Sequence, residues 1–261
     1  MNRFSKLLEL MIAPNGARKT KKDHPNLPIT IPEIVEDADK CFNSGVNAIH
    51  AHVRDKNGNH SLDAGLYHEL ITELNIKIPK LPVQITTEAV GKYSPDEQFE
   101  VIKKVLPESA SVAFVEMVPD IKDTKLAKKF YKFSIENNIQ IQHILYSIED
   151  LKAFIHAIKS KIIPDVNLQV LYVLGRYSKN FQSNKEDLDA FLNEHKRVIS
   201  DFEWGICAFG RAETECLIKA YSLGGKARVG FENNFHNKDG AIANSNADRV
   251  SEILQLRKVT L

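Results

Sequence analysis

Cysteine is scarce in this 261-residue chain: Cys41, Cys207 and Cys216 are odd in number, far apart, set in apolar stretches, and form no CxxC pair. That excludes a disulfide framework and a cysteine-built zinc site, and reads as three reduced core thiols. Long apolar runs are missing as well, none approaching the ~20 residues of a membrane span. The opening Met1-Asn2-Arg3-Phe4-Ser5-Lys6 has neither the apolar stretch nor the small-residue cleavage site of a signal peptide. The expectation is a cytoplasmic protein with no membrane partner. Charge of one sign is not in excess: 35 Lys and Arg against 34 Asp and Glu leave +1. Without a basic field nucleic acid is not an expected partner. No GxGxxG or GxxxxGK[ST] motif marks a nucleotide site, and no repeat, low-complexity tract or composition break divides the chain.

What the chain does contain is a regular alternation. Short apolar strands are predicted at Leu8–Ala13, Ala48–Val53, Pro82–Thr86, Ser111–Phe114, Ile139–Ile144, Val166–Val173, Trp204–Ala208 and Arg228–Gly230, each followed by a longer amphipathic segment. Thr30-x-x-Glu33, Ser94-x-x-Glu97 and Ser183-x-x-Glu186 read as capping boxes that start helices, the second strengthened by Pro95. Eight strand-then-helix units in 261 residues predict one α/β domain over residues 1–261, a (β/α)8 TIM barrel rather than an open doubly wound sheet.

His50-Ala51-His52 closes the second strand, ahead of the turn-forming Lys56-Asn57-Gly58-Asn59. Residues i and i+2 of a strand project to one side, so the two imidazoles can share one metal at the strand's C-terminal end, where barrels keep their chemistry. From the HxH pair alone, two hydrogen-bonded histidines near the mouth account equally well. Barrel closure puts the eighth strand one strand away from the second, both flanking the first. That makes Glu232, in Arg228-Val229-Gly230-Phe231-Glu232-Asn233-Asn234, the candidate third ligand. Two histidines and a carboxylate with open positions describe a catalytic metal, zinc or Fe(II).

Other strand ends collect polar groups. Gln84-Ile85-Thr86-Thr87-Glu88 follows the third strand, Val115-Glu116 the fourth, and Gly175-Arg176-Tyr177 the sixth. The hydroxyls of Thr86 and Thr87 suit a carboxylate, and Glu88 or Glu116 suits a general base if burial raises its pKa, though a carboxylate just past a strand is more often a helix cap. Pro14–Thr30 is a long polar loop with Arg18, Lys19, Lys21 and Lys22, of which Arg18 lies nearest the strand end. Such a cluster faces an anionic ligand or simply solvent. His143 sits near the end of the fifth strand, and Gly224-Gly225 reads as a helix stop and turn.

Pro14-Asn15-Gly16-Ala17, the HxHVRD segment at His50–Asp55, Ser61-Leu62-Asp63, Gln84-Ile85-Thr86-Thr87, Gly210-Arg211 and Gly224–Asn234 together resemble the β-keto acid cleavage enzymes, whose founding activity is 3-keto-5-aminohexanoate cleavage. The likeness runs from about Ala13 to Val250, and HxHVRD and GG…RVGxE are its most specific parts. It implies a zinc-dependent barrel, a homo-oligomer and by the family's habit a tetramer, that condenses a β-keto acid with acetyl-CoA to release acetoacetate and a new acyl-CoA. It implies His50, His52 and Glu232 as zinc ligands, Arg228 as the arginine beside the metal, and Thr86 at a substrate-binding position. Two positions depart from the founding pattern: Arg18 stands for an acid, and Asn233 for an aspartate. An amide takes up no proton at neutral pH, which leaves Asn233 and Arg18 as substrate-binding groups and shifts proton transfer to Glu88, a glycine in the founding pattern, or Glu116. Arg18 favours a neutral or anionic substrate. The alternatives are an amidohydrolase-type metal-dependent hydrolase, for which only His143 fits, and a non-catalytic metal-containing binding protein.

Overall fold

Alternation along each strand sorts the side chains onto two faces, and in the computed structural model, which describes residues 2–197 and 202–260, both faces are buried. The elements run β1 (Leu10–Ile12), α1 (Ile31–Ser44), β2 (Ala48–Ala51), β3 (Val53–Arg54), β4 (His60–Ser61), α2 (Ala64–Lys77), β5 (Val83–Thr86), α3 (Pro95–Val105), β6 (Ser109–Ala113) and a one-turn α4 (Phe114–Met117). They continue with α5 (Lys125–Glu136), β7 (Gln140–Leu145), α6 (Ile148–Lys159), β8 (Gln169–Leu174), α7 (Asp187–His195), β9 (Glu203–Ala208), α8 (Glu213–Ser222), β10 (Lys226–Val229) and α9 (Asn246–Thr260). Eight strands close in the order β1-β10-β9-β8-β7-β6-β5-β2, all parallel, while β3 and β4 form a separate antiparallel hairpin. The fold is a TIM barrel. Closure pairs Ile12 with Val229 on one side and Ile49 on the other, so β2 and β10 both flank β1.

Ile12, Ile49, Ile85, Val112, Val170, Tyr172, Ile206 and Val229 belong to the large core between strands and helices, each full burial contributing roughly 1.5–3 kcal/mol. The residues between them turn inward, and the lumen they fill is partly polar. Gln84 donates to Ser109 Oγ (3.1 Å) and Gln142 Oε1 (3.3 Å), and Gln169 donates to the carbonyl of Phe4 (2.9 Å). Above this layer Ala113, Ile144, Leu171, Val173 and Cys207 pack as a small apolar floor.

Two of the three expected capping boxes form: Thr30 with Glu33 and Ser94 with Glu97, each with a proline in the first turn. The third does not. Ser183 is buried, its N–H donates to the Phe209 carbonyl (2.9 Å) and its hydroxyl accepts from Cys216 Sγ (3.6 Å), so α7 starts later, at Asp187. The three cysteines are free and buried. Among the described residues no helix is long and apolar enough to cross a membrane.

Candidate metal centre and the cleft around it

His50 lies on β2 and His52 one residue beyond its end, both 1% exposed. Their Nε2 atoms face each other at 3.1 Å, and Glu232 Oε2 stands 3.7 Å from the first and 3.4 Å from the second. Two nitrogens and a carboxylate oxygen within 4.8 Å of one another form a set able to hold a metal ion. The orientation of His50 is fixed from behind. Its Nδ1 contacts Gln84 Oε1 at 2.9 Å, and the amide nitrogen of Gln84 already donates to Ser109 and Gln142. Nδ1 therefore carries the proton and Nε2 the lone pair that a metal needs. Burial, then the nearby Arg228, hold His50 well below the ordinary imidazole range, the neutral form a ligand requires. Glu232 Oε2 is buried with no hydrogen-bond partner. Burial would raise this carboxyl, but Arg228 and the two imidazoles outweigh it and keep Glu232 ionised. Donor type, protonation and the open carboxylate oxygen all fit a divalent cation.

Glu232 reaches the histidines because the chain leaving β10 stays pinned to β1. Ala13 N–H donates to the Val229 carbonyl (2.8 Å) and Glu232 N–H to the Ala13 carbonyl (3.1 Å). Gly230 makes this approach possible: its φ is +141°, and a Cβ there would lie 2.4 Å from the Ala13 oxygen. Gly16, at φ +62°, has the same necessity from the other side, since its Cβ would meet Glu232 Cγ at 2.6 Å. Asn246, the first residue of α9 and fully buried, ties the two loops together: its amide donates to the Pro14 carbonyl (3.1 Å) and to Asp37 (2.9 Å) and accepts from Phe231 N–H (2.8 Å). Arg54, the arginine of HxHVRD, is a clamp of the same kind. It donates to the carbonyls of Gly16, Lys19 and Gly58 and so fixes the first loop against the hairpin.

The metal set opens into a cleft at the mouth of the barrel. Arg18, Lys19, Thr86, Glu88, Tyr146, Arg176 and Arg228 are among its lining, with Ile144, Val173 and Phe209 as apolar wall. Four cationic side chains face two carboxylates there. Arg228 donates to Glu232 Oε1 (3.0 Å) and Cys207 Sγ (3.4 Å), leaving Nε and Nη1 without partners. Thr86 Oγ1 accepts the Glu88 N–H (3.0 Å). Lys19 bonds the Phe231 carbonyl (2.7 Å) and packs 4.1 Å above the Phe235 ring. Burial draws its pKa down to about 8, against the pull of Glu213 and Glu232.

Four residues named from sequence stand elsewhere. Thr87 is buried with its hydroxyl on the Ser111 carbonyl (3.1 Å). Glu116, on α4, accepts from Ala89 N–H (3.0 Å) and Gln98 (2.7 Å), closing the loop after β5; burial pushes its carboxyl up. Asn233 follows Glu232 but is not part of the cleft lining, and neither atom of its buried amide has a partner. His143 faces outward from β7 against Tyr131 and Phe154, which removes the fifth-strand ligand that an amidohydrolase-type site would use. Sequence reasoning named Lys19 only as one of a basic cluster, behind Arg18, and gave Arg54 and Gln84 no role of their own. For Arg54 the signal was available in its place beside the histidine pair.

Residues 8–259 match the family described as beta-keto acid cleavage enzyme. The chain is 26% identical over 249 residues to a 3-keto-5-aminohexanoate cleavage enzyme of Fusobacterium nucleatum, covering 93% of this chain and 88% of that one. It is 23% identical over 258 residues to a 3-oxoadipate:acetyl-CoA acetyltransferase of Cupriavidus necator, covering 95% and 87%. Among solved structures the apo form of ObcA superposes with a TM-score of 0.66 at 14% identity, over 88% of this chain and 61% of ObcA, a likeness of fold. The chain thus spans less than two thirds of the length of ObcA.

Proposed function

The chain belongs to the beta-keto acid cleavage enzyme family, and from that premise we propose that it condenses a β-keto acid with acetyl-CoA, giving acetoacetate and a new acyl-CoA. C2 of the keto acid loses a proton and bonds to the acetyl carbonyl carbon as the acetyl C–S bond of acetyl-CoA breaks; the CoA sulfur so released takes the acyl group of C3 as the C2–C3 bond breaks, and C2 takes a proton back to give acetoacetate. His50, His52 and Glu232 hold the metal, which we assign as zinc, with Fe(II) the alternative that the same ligands allow. Bound there, the ion supplies Lewis acidity toward the keto acid oxygens. The single observation that carries the reading is the meeting of this ligand set with a buried arginine whose Nε and Nη1 are uncommitted.

Arg228 offers those two N–H groups to the carboxylate of the substrate or to the oxyanion that develops on it, in a site where desolvation strengthens both contacts. Thr86, its oxygen accepting from Glu88 N–H, keeps its own proton for donation to the substrate. Of the two carboxylates considered from sequence, Glu116 lies outside the cleft and Glu88 lines it, beside His52. Thr87 ties the end of β5 to β6 behind the wall. Arg18, Lys19 and Arg176 give the outer cleft an excess of positive charge, which favours a neutral or anionic keto acid over a cationic one. The protein's assembly into a homo-oligomer, tetrameric as the resemblance implies, is part of the same reading and is checked by light scattering.

The test is mass spectrometry of zinc-loaded protein incubated with acetyl-CoA and a panel of β-keto acids, with His50→Ala as control. Acetoacetate paired with a matching new acyl-CoA, lost in the control, is the expected result. Failure to see the pair across a broad panel, with one zinc bound per chain, would move the assignment to hydrolysis or binding. Within the panel, preference for 3-keto-5-aminohexanoate would sink the charge argument.

A further inference from the structure

The two histidines of the ligand set are held differently on their outer sides. His50 Nδ1 has Gln84, itself anchored by Ser109 and Gln142, whereas His52 Nδ1 is buried without a hydrogen-bond partner. Beside it stands Glu88, Oε2 3.9 Å away. The main chain of Glu88 is fixed at both ends: its N–H bonds Thr86 Oγ1 at 3.0 Å and its carbonyl contacts His60 Nε2 at 2.8 Å. Only the side chain is left to adjust. The other oxygen, Oε1, faces Arg176 Nη2 at 3.6 Å, and the Arg176 guanidinium lies 5.2 Å from the centre of the Phe209 ring and 5.7 Å from that of Phe181. An arginine packed on aromatic rings keeps a carboxylate in place at little further cost in side-chain entropy.

We propose that Glu88 is a positioning residue that acts through His52, and that Arg176 holds Glu88 for that task. This rests on the metal assignment above. Once Nε2 of His52 is committed to a cation, the ring proton must reside on Nδ1, and a buried N–H with no acceptor is costly. A carboxylate within a side-chain adjustment of it is the natural acceptor. Accepting that proton locks the tautomer, fixes the ring plane and makes Nε2 a stronger donor to the metal, as outer carboxylates do for metal-bound histidines. The founding pattern has glycine at this position, so the device is a property of this chain. Both carboxylate oxygens are then engaged, one by His52 and one by Arg176, which separates Glu88 from direct proton abstraction at the substrate.

The measurement is zinc affinity by competition with a chromophoric chelator, for the wild type, Glu88→Gln, Glu88→Leu and Arg176→Met, with kcat recorded at saturating zinc and the spectrum of the cobalt-substituted protein as a probe of ligand geometry. Glu88→Leu should bind zinc about 10- to 100-fold more weakly, Glu88→Gln less so because its amide oxygen still accepts the Nδ1 proton, and Arg176→Met by the smallest factor, with the cobalt bands displaced in the same order. Unchanged zinc affinity and an unshifted cobalt spectrum in Glu88→Leu, with kcat collapsed, would overturn the proposal and make Glu88 a group that acts on the substrate. A wild type whose zinc affinity equals that of His50→Ala would instead overturn the metal assignment itself, and this proposal with it.

Discussion

Two arginine–glutamate pairs are buried within one loop's reach of each other, and they are finished differently. Arg249 bonds Glu213 (2.9 Å), Thr214 (2.8 Å), Asn237 (3.0 Å) and Glu252, while Glu213 accepts from Gly230 N–H (3.4 Å) and Asn234 (3.3 Å) as well. Only Arg249 Nε lacks a partner. Arg228 and Glu232 make one bond to each other (3.0 Å), and leave Nε, Nη1 and Oε2 open. The first pair is architecture: its bonds end in the loop that delivers Glu232. The second is left incomplete. Buried polar atoms without partners cost about 1–3 kcal/mol each, so several of them gathered in one cleft mark where a ligand completes the set.

Breaking the closed pair should have the largest effect. Arg249→Met leaves Glu213 buried and uncompensated, and stability should fall by about 3–5 kcal/mol, read as a lower melting temperature by circular dichroism. The matching change in the open pair, Arg228→Met on metal-loaded protein, should cost roughly 10²- to 10³-fold in kcat/KM and under ~1 kcal/mol in stability, because a cation on the ligand set would still neutralise Glu232. Equal destabilisation by both would erase the distinction. Gly16→Ala presses on the open pair alone, at a left-handed position beside Glu232 Cγ; a loss of about 1–3 kcal/mol with weakened zinc binding is expected, and an unperturbed zinc site would count against the tight approach.

The smallest effect belongs to Lys19, a cation that feels both Glu213 and Glu232, with its pKa drawn down to about 8. Its charge is present below that pH and lost above it, so KM for an anionic keto acid should rise a few-fold from pH 7 to 9 in the wild type and stay flatter in Lys19→Met. Stability runs the other way. An unfolded lysine keeps its proton to ~10.4, so between about 8 and that value the unfolded state binds more protons and the wild type gains stability relative to the variant as pH rises. Parallel pH profiles for the two proteins would dismiss the role.

The barrel was readable from sequence because its information is local. Alternation and turn residues place eight strands, with shifts such as β10 at Lys226–Val229 against the expected Arg228–Gly230. The meeting of His50, His52 and Glu232 followed from closure alone, since it depends on strand order rather than on side-chain reach. Positions that depend on reach were not readable. Nothing in the strings around Glu88 and Glu116 says that one carboxylate faces the cleft and the other ties down a loop, nor that Arg176 comes from the strand opposite β2 to meet Glu88. Ser183 shows the converse failure: a correct local motif was overruled by burial against Cys216 and Phe209.

Asn246 and the Pro14 carbonyl it binds are 232 residues apart in the chain. Contacts of such separation form late, after the loop-closure entropy of the whole intervening chain has been met. On the ribosome, the histidine pair emerges long before either Glu232 or the asparagine that steadies its loop. The set of His50, His52 and Glu232 is therefore complete only after the last helix has docked and steadied the loop that carries the carboxylate.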